Sequence, residues 1–283
     1  MPLSRRGSGV VPAARAVASQ VHPVFMLPPV AASWFGSMLA EQFSLTTGAL
    51  HMIAIFAAVY TAHVKDGYVD FHVRGEDDDH PLTAKGCKLL LAAATALFSA
   101  ALAGLWAVVG LGAALVTLPT WFIGYFHAPQ LDTNPVTATS GYPFGIALAI
   151  LGGYYVQTRT FAPVAAAFAL VFLVLLSGVK VVDDAQDYEY DRTIAKRTVA
   201  VALGRERARV AAFALMVVAL LGVLGFAAAR VFPPSSVLAA AAFAVVAGIA
   251  YRTGPELATM LLIRGSYVFL ALLLAAVWFR PLS

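Results

Sequence analysis

Two stretches concentrate carboxylates at regular intervals in an otherwise greasy chain. In "AHVKDGYVDFHVRGEDDDHPLT", Asp66 and Asp70 stand four residues apart, which on a helix places them on one face, a turn from each other. In "VVDDAQDYEYDRTIAKRT", Asp183, Asp187 and Asp191 repeat that interval and predict three carboxylates stacked along one helical stripe. Like charges so spaced repel, and a divalent cation relieves the repulsion by giving them a common partner. Hard oxygen ligands suit magnesium, which takes one or two carboxylates and draws its other ligands from water and substrate phosphates. Two such sets suit about two magnesium ions bridging a diphosphate.

Basic residues complete that chemistry. Arg74 follows the first set, and Arg192, Lys196 and Arg197 follow the second. An arginine binds phosphate through a planar fork and a lysine as a point charge. Carboxylates alone would fit calcium or cation transport; interleaved with Arg and Lys they point to a phosphorylated ligand. Asp184, beside the stripe but off its face, either orients or deprotonates a second substrate or caps the helix. His63 and His127 are further proton-transfer candidates. "GEDDDH", ending at His80, reads as a solvated loop.

The elements that must position these groups are membrane helices. The chain has 283 residues, 60% hydrophobic and 12% charged, about half the charge of a soluble domain. Several nearly uncharged runs reach the roughly 18–25 residues that cross a hydrocarbon core. The fold class is therefore all-α and polytopic, with nine spans expected near 23–41, 44–62, 86–105, 107–126, 143–157, 160–182, 207–230, 234–251 and 255–279. Residues 1–22 read as a cytoplasmic tail, since no continuous apolar core separates the arginine pair from "AVAS", and 23–283 as one transmembrane domain. With nine crossings, one side holds 15 of the 19 Lys and Arg, which the positive-inside rule assigns to the cytoplasm. The net charge of +4 thus reports topology rather than nucleic-acid binding. Six acidic residues at 66–79 and five at 183–191 fall on that same side, four helices apart, a faint echo of internal duplication. A single cysteine excludes an intrachain disulfide, and the six histidines show no zinc spacing.

This pattern resembles the UbiA superfamily of intramembrane prenyltransferases, whose nine helices carry two motifs of the form N/D-x-x-x-D-x-x-x-D after helices two and six. Motif one maps onto Ala62, Asp66 and Asp70, followed by "HPLTAKG"; motif two maps onto Asp183, Asp187 and Asp191. The tail "TIAKRTVAVALGRERAR" is similar to the menaquinone-branch pattern, as is "GGYYVQT", while "HPVFMLPPVAASWFG" is similar to the family's first helix. Ala62 stands where an Asn usually begins motif one.

The resemblance implies an integral membrane enzyme of a prokaryotic plasma membrane with its site on the cytoplasmic side. It would transfer a polyprenyl group from an isoprenoid diphosphate to a lipophilic aromatic acceptor in quinone (menaquinone) synthesis. Magnesium would be held by Asp66, Asp70, Asp183, Asp187 and Asp191, with Arg74, Lys196 and Arg197 on the leaving diphosphate. Tyr125, Phe126, Tyr142, Tyr154 and Tyr155 are the aromatic candidates for binding substrate or steadying a carbocation. Other acceptors (a hydroxybenzoate, a glycerol-phosphate lipid, a carotenoid) remain alternatives. The rival class is a membrane transporter, which needs ionisable residues along a path rather than charge gathered at one end.

Overall fold

An apolar run this long satisfies its backbone polar groups inside lipid only by helical pairing. The computed structural model describes residues 3–194 and 196–280, and helices dominate it. They are α1 (Val10–Ala18), α2 (Pro23–Met38), α3 (Leu45–Gly67), α4 (Ala84–Val108), α5 (Leu111–Phe126), α6 (Pro135–Thr158), α7 (Pro163–Asp184), the short α8 (Tyr188–Asp191) and α9 (Val199–Leu203), α10 (Arg205–Ala228), α11 (Ser236–Ala250) and α12 (Pro255–Phe279). Among the described residues six helical segments are long and apolar enough to cross a membrane, those built on α3, α4, α6, α7, α10 and α12. α5 and α11 are apolar but shorter. The main core is packed between α7, α10, α11 and α12 around Phe168, Phe172, Phe243 and Phe269.

The connections alternate between two ends of the bundle. At one end the α2–α3 turn meets the end of α6, where Ser44 N–H donates to Gln157 Oε1 at 2.8 Å, and Arg159 reaches the Val108 carbonyl at 3.3 Å. At the other end the loop after α3 carries Glu76, which meets Arg74 and Lys196, and Arg74 meets Asp132 from the loop after α5. The N-terminal segment joins that end: Thr83 N–H donates to the Leu3 carbonyl at 3.0 Å, and Arg6 pairs with Asp79.

Three local features shape this polar end. First, Pro28 and Pro29 lie inside α2 and have no N–H to give the carbonyls four residues back, Val24 and Phe25. Tyr142 Oη on α6 donates to the Phe25 carbonyl at 2.9 Å and Tyr267 Oη on α12 to that of Val24, so two prolines become two tie points. Second, α3 widens after Gly67 into a π-helical turn, Tyr68–Arg74, closed by Gly75 in the left-handed region at φ 66°. Third, α7 stops at Asp184. Its last turn tightens as Gln186 N–H bonds the Asp183 carbonyl, and α8 restarts four residues later. The expected continuous stripe of Asp183, Asp187 and Asp191 is therefore corrected: stacked carboxylates repel, and the negative end of a helix dipole disfavours them further.

Candidate active site

A cavity of about 740 Å³ opens at the polar end between α2, α3, α5, α6, α7 and α12. Its depth is apolar, lined by Ile55, Val59, Ile146, Phe172, Leu176 and Leu270, while its mouth carries Asp66, Asp70, Asp77, Asp79 and Asp183. The ends of α3 and α7, far apart in sequence, thus bring motif one and the start of motif two to one opening. Ala62 lines the same wall.

Two cations share that mouth. Lys180, one turn inside α7, sets its Nζ 2.5 Å from Asp184 Oδ1 and 3.0 Å from Asp183 Oδ2. Arg6 reaches the cavity from the N-terminal segment, where its hydrogen bond holds the Asp79 carboxyl below the usual carboxylate range. Lys180 carried no role in the sequence, where a lysine at the end of an apolar run reads as a topology marker. Its signal is the i+3 and i+4 spacing to Asp183 and Asp184.

Behind the mouth runs a buried charge network. Arg74 Nη1 lies 2.8 Å from Asp132 Oδ2, 3.5 Å from Glu76 Oε1 and 3.8 Å from Asp70 Oδ1. Glu76 also faces Lys196 Nζ at 3.5 Å. Burial opposes the Lys196 charge, yet Glu76, Asp70, Asp191 and Asp66 together raise its pKa, which places the ammonium between the two acidic sets. Glu76 is nearly buried rather than solvated, and His80 packs its ring against Gly67, so "GEDDDH" is an anchored loop, not a free one.

The remaining expected site residues are placed less centrally. Asp187 is exposed at the break between α7 and α8. Asp191 is buried, sharing a small recess of about 260 Å³ with Lys196 and Arg197, and burial pushes its carboxyl up to about 6 against the pull of Lys196. Arg197 turns its backbone N–H to the Asp132 carbonyl at 2.8 Å. Tyr125 stacks on Trp121, receives the Lys65 ammonium at 4.7 Å and does not line the cavity. Of the aromatic candidates only Tyr142 lines it; Tyr267, Phe25 and Phe172 also do and drew no notice in the sequence.

Carboxylate oxygens here are left wanting a partner. Asp184 Oδ2 is buried and accepts no hydrogen bond, and Asp70 Oδ1 has the 3.8 Å ion pair with Arg74 but likewise accepts none. Yet among the described residues no three His, Cys, Asp or Glu side chains converge tightly enough to hold a metal alone. Both facts fit a hard cation that takes one or two carboxylates and completes its shell with water and phosphate oxygens.

Comparison with known proteins bears on the family and the fold. Residues 26–273 match the model of the UbiA prenyltransferase family. No curated protein matches the chain in sequence. Among solved structures, a UbiA homologue from Aeropyrum pernix K1 superposes with a TM-score of 0.74 at 14% identity, covering 89% of this chain and 96% of that one. A digeranylgeranylglyceryl phosphate synthase gives 0.71 at 12% identity over 94% and 98%. A UbiA homologue from Archaeoglobus fulgidus bound to GPP and Mg2+ gives 0.66 at 16% over 94% and 99%. At these identities the likeness is one of fold.

Proposed function

The chain belongs to the UbiA prenyltransferase family, and on that footing we propose that it transfers a prenyl group from an isoprenoid diphosphate to a lipophilic aromatic acceptor, using magnesium, in quinone synthesis. The observation that carries this reading is a cavity with apolar depth and acidic mouth, which Asp66, Asp70 and Asp183 all line. The A. fulgidus homologue bound to GPP and Mg2+ supports the ligand pair. The menaquinone branch rests on the motif-two tail "TIAKRTVAVALG". The nine helices of α2–α7 and α10–α12 would each cross a prokaryotic plasma membrane, with the N-terminus and the acidic mouth in the cytoplasm.

Asp66, Asp70 and Asp183 would hold the metal, with Asp187 and Asp191 at the edge of the same end. Bound there with the diphosphate, magnesium neutralises the negative charge that grows on the leaving group. The chain's own residues do the rest. The apolar walls take the isoprenoid tail and keep water from the reacting carbon. Lys180 and Arg6 at the mouth, with Lys196 behind it, stabilise the departing diphosphate electrostatically. Arg74 is already engaged by three carboxylates, so its part is to brace the loop that carries Asp70.

The test is a reconstituted assay with geranylgeranyl diphosphate, magnesium and a panel of hydroxyaromatic acceptors, reading pyrophosphate and prenylated product. Asp66→Ala and Asp183→Ala should each lower the rate by about 10²–10³-fold. Equal background release from wild type and both variants would overturn the reading. Mass spectrometry of membrane quinones after deleting the gene then names the acceptor.

A further inference from the structure

Four histidines line the cavity: His80 in the loop after α3, His22 before α2, His63 on α3 and His127 after α5. Two of them touch. His22 Nδ1 and His63 Nδ1 lie 3.3 Å apart, with the rings edge to face at a centroid distance of 4.9 Å. Among the described residues neither Nε2 has a hydrogen-bond partner, and His22 is exposed while His63 is half-buried. His63 precedes Asp66 by three residues, about 4.5 Å along the helix axis, so it lines the cavity between the acidic mouth and the apolar depth. Phe25 packs beside it at 6.2 Å. The other ionisable groups facing it are Asp66 on its own helix and His127 from the end of α5. The two cations at the mouth are paired, Lys180 with two carboxylates and Arg6 with Asp79.

We propose that His63 is the proton acceptor for the prenyl acceptor, with His22 as its relay to solvent, and that this pair selects acceptors carrying an acidic aromatic hydroxyl. The assignment rests on the prenyltransferase reading above. The Nδ1–Nδ1 contact needs one ring to donate; in the working tautomer His63 donates its Nδ1–H to His22 Nδ1, which leaves the His63 Nε2 lone pair free to accept from a bound hydroxyl. The acceptor's O–H proton passes to His63 Nε2 as a ring carbon supplies the electron pair for the new bond to the isoprenoid C1. The C1–O bond breaks with its pair on the diphosphate. The hydrogen on the alkylated carbon then returns to the ring oxygen as aromaticity is restored, so one proton is released in all. It leaves as His63 Nδ1–H passes to His22 Nδ1 and the exposed His22 gives up its Nε2 proton to water. After product leaves, His63 gives its Nε2 proton to water, and His22 returns its Nδ1 proton to His63 Nδ1 and takes one from water at Nε2. That restores both starting tautomers with no further net proton.

The test pairs His63→Gln with two acceptors in the reconstituted protein. One is a hydroxyaromatic that is neutral at the assay pH; the other is a fluorinated analogue already ionised there. With the neutral acceptor the variant should lose about 10²–10⁴-fold in transfer, and less product should form per pyrophosphate released. With the ionised acceptor most of that loss should vanish, and His22→Gln should show the same pattern more weakly. Equal losses with both acceptors, at an unchanged ratio of product to pyrophosphate, would mean a structural role and overturn the proposal, as would no loss at all. A wild type that prenylates no hydroxyaromatic while Asp66→Ala abolishes its pyrophosphate release would overturn the choice of acceptor and leave the diphosphate chemistry standing. A wild type releasing no pyrophosphate would sink the parent reading.

Discussion

Asp191 shows how burial turns a motif residue into a pH-sensitive one. Its carboxyl sits at 3% exposure and titrates at about 6, above its ordinary 3.8, because burial outweighs the attraction of Lys196. A carboxyl whose folded pKa is raised binds its proton more tightly in the fold, so stability falls as pH rises from about 4 to about 6. Asp191→Asn should therefore unfold at a higher temperature than wild type at pH 8 in EDTA. The gain, reduced by solvent screening, should be on the order of 1–2 kcal/mol and disappear at pH 4; a gain of the same size at both pH values would contradict it. Part of the site at this scale was legible, because dense carboxylates in an apolar chain demand a partner, and Asp66, Asp70 and Asp183 do line one cavity. Glu76 and Asp132 were not, since their partners across loops, Lys196 for Glu76 and Arg74 for Asp132, are far away in the chain. His22 escaped notice because nothing near it in the chain announces that His63 will lie beside it.

Elements are held at the site by close backbone packing rather than by large side chains. α2 and α6 cross so tightly that a Cβ on Gly153 would lie 2.1 Å from the Ser33 carbonyl oxygen, and one on Gly36 equally close to that of Ile150. Ser37 Oγ donates to the Gly153 carbonyl at 3.0 Å across the same crossing. Small residues let membrane helices approach in this way, since lipid offers no hydrophobic drive between them. Gly153→Ala must push α2 away, and α2 carries His22, Phe25 and the two carbonyls tied by Tyr142 and Tyr267. Its expected cost is about 1–3 kcal/mol of overpacking, read as a lower unfolding temperature in detergent and a weakened affinity for the isoprenoid diphosphate. A variant as stable as wild type would show that the crossing has slack. Helix positions themselves were readable from apolar runs. The break after Asp184 and the widened turn after Gly67 were not, because a four-residue interval fits a regular helix and says nothing of the repulsion that ends it.

At the scale of the whole molecule, charge and shape are segregated together. The acidic mouth, the Arg74 network, Arg6 and Lys196 occupy one end, and the other end is made of short turns such as that at Thr160. Hydropathy made the membrane class readable at once, but α2 and α5 have only 16 residues and α11 15, which at 1.5 Å per residue fall short of a hydrocarbon core of about 30 Å. Such helices fit if the bilayer thins locally or polar flanks reach toward the interface. By the positive-inside rule the excess of Lys and Arg at the acidic end would place that end in the cytoplasm. Asp78 and Thr160 are both exposed, at opposite ends of the bundle. In a Cys87→Ser background, a thiol introduced by Asp78→Cys should react with a membrane-impermeant maleimide only in inverted vesicles, and one introduced by Thr160→Cys only in right-side-out vesicles. The orientation matters for function, because a diphosphate made in the cytoplasm cannot cross the bilayer to reach a mouth on the far side. Labelling of Asp78→Cys from the outer face would place the acidic mouth where no such donor is delivered and would break the link between this cavity and prenyl transfer from a cytoplasmic pool.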